Sequence, residues 1–250
     1  MANSNELLHL EDNMFCILLT GTIAPTNIPN LKRLDHKERE QDYYKAIEKW
    51  MSLNYPVVFI ENSGYESKSI NSLFESRPDC EFVQFVSSVS YLGKGHGEAE
   101  IINYGFEMSE ILCKSVYIIK SSGRQYISNT TTIIESIKSS KLFVLCWLKR
   151  YLQYADSRFF VAKKDFFTSY LSKEMALIDE KNDIYFEHVL ARAVHRSIAD
   201  GELWLPPIDY PICYGISGTE NLKYRTDLKS ILKGRVIFKI MHRIFRNDFL

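Results

Sequence analysis

Between a β-like run over 82–89 and an amphipathic helical pattern over 98–112 lies the segment Gly93-Lys94-Gly95-His96-Gly97-Glu98. Three glycines, a lysine and an acid at a strand-to-helix junction fit a backbone that approaches a ligand closely. Glycine has no Cβ to block that approach and tolerates positive φ. A helix N-terminus adds unpaired N–H groups and a partial positive charge, which suit an anionic ligand. The spacing is neither the dinucleotide fingerprint nor the Walker loop, since no Gly-Lys-Ser/Thr follows and the first glycine comes late. Taken alone, the segment is better accounted for by a plain glycine-rich turn.

The elements around it tip that balance. The short apolar run over 15–20, ending at Gly21, reads as a buried parallel strand. A polar loop carrying Pro25 and Pro29 follows. Over 36–53, Tyr43, Tyr44, Ile47, Trp50 and Met51 recur at helical spacing. A second strand over 56–60 ends at Glu61-Asn62-Ser63-Gly64, a short helix covers 67–76, and a third strand covers 81–86. The fourth strand, 115–119, runs into Lys120-Ser-Ser-Gly-Arg124. Strands alternating with helices predict an α/β, Rossmann-like, mostly parallel sheet flanked by helices, with right-handed crossovers. Ligands of such sheets bind beyond the carboxyl ends of the strands. The loops after Thr20, after Ile60, before Glu98 and after Ile119 all fall at that edge. In the less regular second half, strands are expected over 141–148 and 158–162 and helices over 164–171 and 183–198. Pro206, Pro207 and Pro211 break the chain before Gly215-Ile-Ser-Gly218.

Composition narrows the classes. In 250 residues, 31 basic and 31 acidic side chains balance, so nothing global points to nucleic acid. Fifteen Tyr and fifteen Phe argue against disorder. Cys16, Cys80, Cys113, Cys146 and Cys213 are odd in number and scattered, as expected of reduced thiols in a cytoplasmic protein. Residues 1–6 lack the basic and apolar regions of a secretion signal, and no run of about 18 apolar residues is present. His9, His36, His195 and His242 show no ligand spacing, which disfavours zinc. A Gly-x-Ser-x-Gly elbow is missing, which disfavours an α/β-hydrolase.

Together these stretches resemble the bacterial GT-A-type glycosyltransferases that build capsule or lipopolysaccharide chains. The likeness is carried by Leu18-Leu-Thr-Gly-Thr-Ile23, Val58-Phe-Ile-Glu-Asn-Ser-Gly64, Lys94-Gly-His-Gly-Glu98 and Ile119-Lys-Ser-Ser-Gly-Arg-Gln-Tyr126. Asp156-Ser-Arg-Phe-Phe160, Tyr185-Phe-Glu-His188 and Gly215-Ile-Ser-Gly218 fit the same pattern, so that it spans about residues 14 to 225. The resemblance implies a GT-A-like domain over 1–225, with a nucleotide-sugar-binding half (14–129) and an acceptor-binding half (130–225). It places Thr20, Gly21 and Thr22 under the nucleotide, and Glu61, Asn62 and Ser63 at the base or ribose. Lys94, Gly95 and Gly97 approach the ribose or sugar, and Glu98 either caps the helix or bonds sugar hydroxyls. An ordinary turn at Glu61 and simple helix capping at Glu98 are the alternatives.

One departure matters. Most such enzymes carry an Asp-x-Asp after the fourth strand to hold a divalent metal, whereas this chain has Lys120-Ser-Ser-Gly123-Arg124. Magnesium or manganese wants oxygen ligands, so metal-independent phosphate binding by Lys120 and Arg124 is favoured, with Asp156 as the metal-ligand candidate otherwise. An inverting transfer needs a base for the acceptor hydroxyl; Glu187 is the first candidate and His188 the second. Arg158 is placed at the leaving diphosphate or the acceptor.

Residues 226–250 form a basic amphipathic tail, with Arg235, Lys239, His242 and Arg246 on one face. Ile237, Ile240, Met241, Ile244 and Phe245 lie opposite. Contact with the inner-membrane surface is expected, against the alternative that the apolar side packs on the domain. The leading expectation is therefore a cytoplasmic enzyme, peripheral to the inner membrane, using a nucleotide-sugar donor and a saccharide or lipid-linked acceptor. A CMP-sugar-dependent transferase and a non-catalytic nucleotide- or partner-binding module are the rivals.

Overall fold

A computed structural model describes residues 14–26, 31–137 and 141–247, with side chains as far as Phe245. His9, Pro29 and the last three residues of the tail lie outside them. Eleven strands are described: β1 (Phe15–Gly21), β2 (Val57–Glu61), β3 (Glu81–Gln84), β4 (Tyr117–Ser122), β5 (Gln125–Ile127), β6 (Val144–Leu145), β7 (Leu148–Lys149), β8 (Tyr154–Ala155), β9 (Phe159–Lys163), β10 (Trp204–Leu205) and β11 (Cys213–Gly215). Seven form the central sheet, in the order β10-β6-β9-β4-β1-β2-β3. Neighbours run parallel except at β9, which is antiparallel to both β4 and β6. The helices are α1 (His36–Met51), α2 (Lys68–Glu75), α3 (Lys94–Met108), α4 (Glu110–Lys114), α5 (Thr130–Glu135), α6 (Ser172–Met175), α7 (Phe186–Ala199) and α8 (Leu228–Asn247). A mostly parallel α/β sheet flanked by helices is thus present.

The apolar runs are continuous because both sheet faces are covered. Phe15, Ile17 and Leu19 of β1 join the α1 side chains Tyr43, Ile47 and Trp50 in one core. Cys16 and Leu18, on the other face of the pleat, join Ala99, Ile101 and Ile102 of α3 and Val189 and Leu190 of α7. Register aligns Gly21 with Glu61 and Thr20 with Ser122, so β2, β1 and β4 end together at one edge.

Several boundaries differ from expectation. The helix expected over 98–112 begins at Lys94 and breaks at Ser109, whose side chain caps α4 by accepting from Leu112 N at 3.1 Å. The expected strand over 141–148 divides into β6 and β7, and the helix over 164–171 is a π-type turn (Phe166–Leu171) continuing into α6. The pairing of β11 with β5 has no local signature, since the partners are about ninety residues apart in the chain.

The tail is helical, and it docks through the side carrying Phe238 and His242 rather than through the apolar side that the packing alternative names. Phe238 lies between Arg235 and His242 on the basic side and inserts against Trp147 and Tyr210, with ring centroids 4.8 and 5.6 Å away. His242 is buried at Pro206 O (2.9 Å), and Arg235 pairs with Asp209 at 3.3 Å. An aromatic ring on the basic face outweighs the cations beside it, so Ile237, Ile240 and Ile244 turn to solvent.

Candidate functional site

Beyond the ends of β1, β2 and β4 the surface opens into a cleft. One part, a cavity of about 140 Å³, lies between Thr20, Gly21, Thr22, Asn62, Gly97 and Arg124. A second, wider part reaches Lys120, Arg158, Tyr154 and Glu187; Lys94, Glu98, Ser122, Arg124, Gly218 and Thr219 border both. Most of the residues singled out from the sequence therefore surround one space. Glu61, Ser63, Gly123, His188 and Asp156 do not line either part.

Glu61 is fully buried, and its carboxylate organises the loops. Oε1 accepts from Ile23 N (2.8 Å), Ser63 N (2.9 Å) and the Ser63 hydroxyl, and Oε2 accepts from Tyr65 N at 3.3 Å. Ser63 Oγ accepts in turn from Ala24 N at 3.0 Å. Neither side chain is left for a ribose. Glu61→Gln is expected to cost about 1–3 kcal/mol, because the amide sets a donor against a backbone N–H. Urea unfolding of the variant measures this, and an unchanged midpoint would contradict it.

Asn62 behaves differently. It is 2 % exposed, and its Oδ1 accepts from Thr22 Oγ1 at 2.5 Å. Its Nδ2 has no hydrogen-bond partner among the described residues. Gly97 lies beside it; a Cβ there would stand 3.4 Å from Nδ2, in ordinary van der Waals contact. Gly21 and Gly123 serve packing instead, since a Cβ at either would meet the Tyr43 and Phe59 rings at 3.1 Å or less.

The glycine segment is not a ligand-wrapping loop. It forms the first turns of α3, and the Glu180 carboxylate sits against Gly93 and accepts from Gly95 N. The helix N-terminus proposed for an anion is thus taken by the chain's own anion. Gly93, at φ +147°, has the left-handed backbone and the space that this approach requires. Glu98 is one turn further in; it does not cap but pairs with Lys120 and accepts from Thr20 Oγ1 at 2.9 Å.

Lys120 follows Ile118 on the α3 side of the pleat, 2 % exposed, bound to Glu98 and donating to Ser157 O at 3.1 Å. Its charge is spent inside the wall, so it is not the open phosphate-binding cation expected. Arg124, in the turn between β4 and β5, takes that place. Nη1 donates to Ile216 O at 3.1 Å, while Nε is buried with no hydrogen-bond partner among the described residues. Its guanidinium lies 5.8 Å from the Tyr43 ring, and the Arg39 guanidinium lies 5.9 Å from the same ring. Lys94 Nζ reaches across to Thr219 Oγ1 at 2.7 Å. Burial, and then the charge of Arg124, pull the Lys94 ammonium below its ordinary value. Arg39 adds to that repulsion, while the Glu180 and Glu187 carboxylates oppose it.

In the wider part, Glu187 at the start of α7 accepts from Ser157 Oγ at 2.8 Å. Burial, with the Glu187 carboxylate adding, pushes the neighbouring Tyr154 hydroxyl up to about 12, so it stays a neutral donor. His188 Nδ1 accepts from Tyr185 N at 3.1 Å and closes the N-terminus of α7, which removes it as a base. Arg158 grips Asp156 through two bonds, 2.8 and 2.6 Å, and Lys149 adds a third at 2.6 Å. Against the burial that alone would raise it, these cations hold the Asp156 carboxyl well below the usual range. That stability is complete above the unfolded value near 4 and is lost as pH falls towards the folded one.

No preformed ligand set for a divalent metal is seen among the described residues. The turn after β4 supplies no carboxylate, Asp156 is saturated by cations, and Glu98 is bound to Lys120. Among the described residues no three His, Cys, Asp or Glu come together as a ligand set. Arg39, Tyr43, Tyr154, Glu180 and Thr219 belong to the site without having been singled out for it. The one usable signal was a charged Arg39 one turn before Tyr43, on a helix face otherwise apolar.

No protein-family model matches the sequence, and no curated protein matches it. Among solved structures, the chain is similar to a glycosyltransferase involved in the glycosylation of the major capsid of PBCV-1. The identity is 11 %, covering 78 % of this chain and 83 % of that one, with a TM-score of 0.46. It is similar also to the inositol-1-phosphate CTP transferase from T. maritima, at 12 % identity over 93 % and 96 % of the two chains, with a TM-score of 0.45. Core-mannan synthase A from Aspergillus fumigatus, in its Mn/GDP form, gives 10 % identity over 90 % and 83 %, with a TM-score of 0.45. At such scores the likenesses are loose.

Proposed function

We propose that the protein is a glycosyltransferase that moves a sugar from a nucleotide-sugar donor to a saccharide or lipid-linked acceptor in bacterial surface-polysaccharide assembly. One observation carries this reading. Two buried donors without partners among the described residues, Asn62 Nδ2 and Arg124 Nε, border the same cleft as Lys94. Buried donors left unmade are costly, so a ligand with acceptor oxygens on both sides of β1 would satisfy them. A nucleotide with its phosphates has oxygens at both ends. In this proposal residues 14–129 bind the donor, Asn62 meets the nucleoside, and Arg124 and Lys94 meet the diphosphate. Residues 130–225 bind the acceptor.

For direct displacement, the acceptor hydroxyl gives its proton to Glu187 as its oxygen bonds to the anomeric carbon. The bond from that carbon to the phosphate oxygen breaks, and the electron pair leaves with the nucleotide. Arg124 and Lys94 neutralise the charge that develops there. Ser157 holds Glu187 in place, the neutral Tyr154 hydroxyl borders the same part of the cleft, and Lys120 with Glu98 fixes the wall between the two halves.

The test is binding of UDP-, GDP-, CMP- and dTDP-sugars by thermal shift in EDTA, at several pH values. One donor is expected to stabilise the protein without metal, and to lose its effect as pH rises through a value below the usual lysine range. Lys94 must be protonated to hold phosphate, and its depressed value sets that limit. Lys94→Arg is expected to keep binding at the higher pH. Stabilisation by none of the donors would overturn the reading, and stabilisation only with added metal would refute metal-independent binding of the donor.

A further inference from the structure

The outward side of α8 has no counterpart in the function of the cleft. Leu228, Leu232, Val236, Ile240 and Ile244 recur at every fourth position and are 53 to 77 % exposed, with Ile237 beside them. Side chains four apart stack along a helix, so these five form one ridge. Lys229, Lys233, Lys239 and Arg243 flank it, all exposed. Between Leu228 and Asn247 there is no aspartate or glutamate. The helix is held at its back by Phe238 against Trp147 and Tyr210, by Phe245 against Trp204 (5.0 Å), and by His242 at Pro206. Its start is capped by Asp227, which accepts from Ser230 N at 2.9 Å. The ridge is therefore presented on a fixed element.

We infer that this ridge is a membrane-contact surface, with the five apolar side chains entering the acyl boundary of an anionic phospholipid leaflet and the four flanking cations meeting its headgroups. Apolar residues rimmed by cations of one sign match a surface that is apolar inside and negative outside. A second copy of the helix would oppose cation to cation, with no acid in α8 to pair them. This inference does not depend on what the cleft binds. Ile237, Ile240 and Ile244, expected on the apolar face of the tail, lie on the side that Phe238 leaves free.

The experiment is sedimentation of the full chain with phosphatidylcholine vesicles, with and without phosphatidylglycerol. The parent protein is expected to bind the anionic vesicles at least tenfold more tightly and to be released by high salt. Lys233→Gln/Lys239→Gln is expected to lose about twenty-five-fold, or about fivefold for each cation. Val236→Ser/Ile240→Ser is expected to lose tenfold or more on the same vesicles. All four positions are exposed, so unchanged melting temperatures check that the fold is kept. Equal binding to neutral vesicles, no sedimentation with either, or a ridge variant that binds like the parent would overturn the inference. So would a parent dimer that the ridge substitutions convert to monomer.

Discussion

Arg124→Ala is expected to weaken binding of the best nucleotide-sugar by about ten- to hundredfold, the range for removing one charged hydrogen-bonding partner. Arg124 is the one of the two strand-four cations whose guanidinium borders both parts of the cleft. Lys120, spent on Glu98 and Ser157, cannot replace it. The substitution also removes a bond to Ile216 O and a contact with the Tyr43 ring, so a modest loss of stability accompanies it. Arg124→Lys separates the two effects: it restores charge without the planar fork and is expected to recover only part of the affinity. Calorimetric titration in EDTA reads both variants. An Arg124→Ala protein that binds as tightly as the parent would remove the cationic wall from donor binding.

Glu187→Gln is expected to lower sugar transfer by about a hundred- to ten-thousandfold, the usual contribution of a positioned general base. Donor affinity is expected to change little, because Glu187 lies in the wider part of the cleft and its side chain bonds Ser157. Glutamine keeps the shape and can still meet the Ser157 hydroxyl, but it cannot take a proton. Single-turnover transfer with saturating donor is the measurement. Unimpaired turnover would take Glu187 out of the mechanism, whereas loss of both binding and turnover would make it a donor-binding residue. His188→Gln serves as the neighbouring control and is expected to affect the N-terminus of α7 more than the chemistry, since its ring accepts from Tyr185 N.

The sheet edge was readable because continuous apolar runs such as those in β1 and β2 mean burial on both faces, and Gly21 and Gly64 punctuate their ends. The partners of individual charges were not readable. Glu61 and Asn62 are adjacent in the chain, yet one carboxylate is consumed by three backbone N–H groups and one hydroxyl while the next amide is left open. That difference arises from alternation at a strand end and from loops brought in by residues 22–24 and 65. Likewise Lys120 and Arg124 look equivalent in sequence. Pleat direction sends the first into the α3 layer, and the turn releases the second into the cleft.

By itself, the sequence determined the alternation of strands and helices, the parallel core and the clustering of candidate loops beyond the strand ends. Those follow from local periodicity and from glycine and proline at the breaks, which act within a few residues. Only the tertiary structure decided which charges are neutralised, that Glu180 occupies the N-terminus of α3, and which face of the last helix meets solvent. Each depends on a contact between segments tens of residues apart, such as Gly95 with Glu180 or Phe238 with Trp147. No local pattern encodes such a contact, because packing and charge pairing are chosen by what the folded neighbours leave unsatisfied.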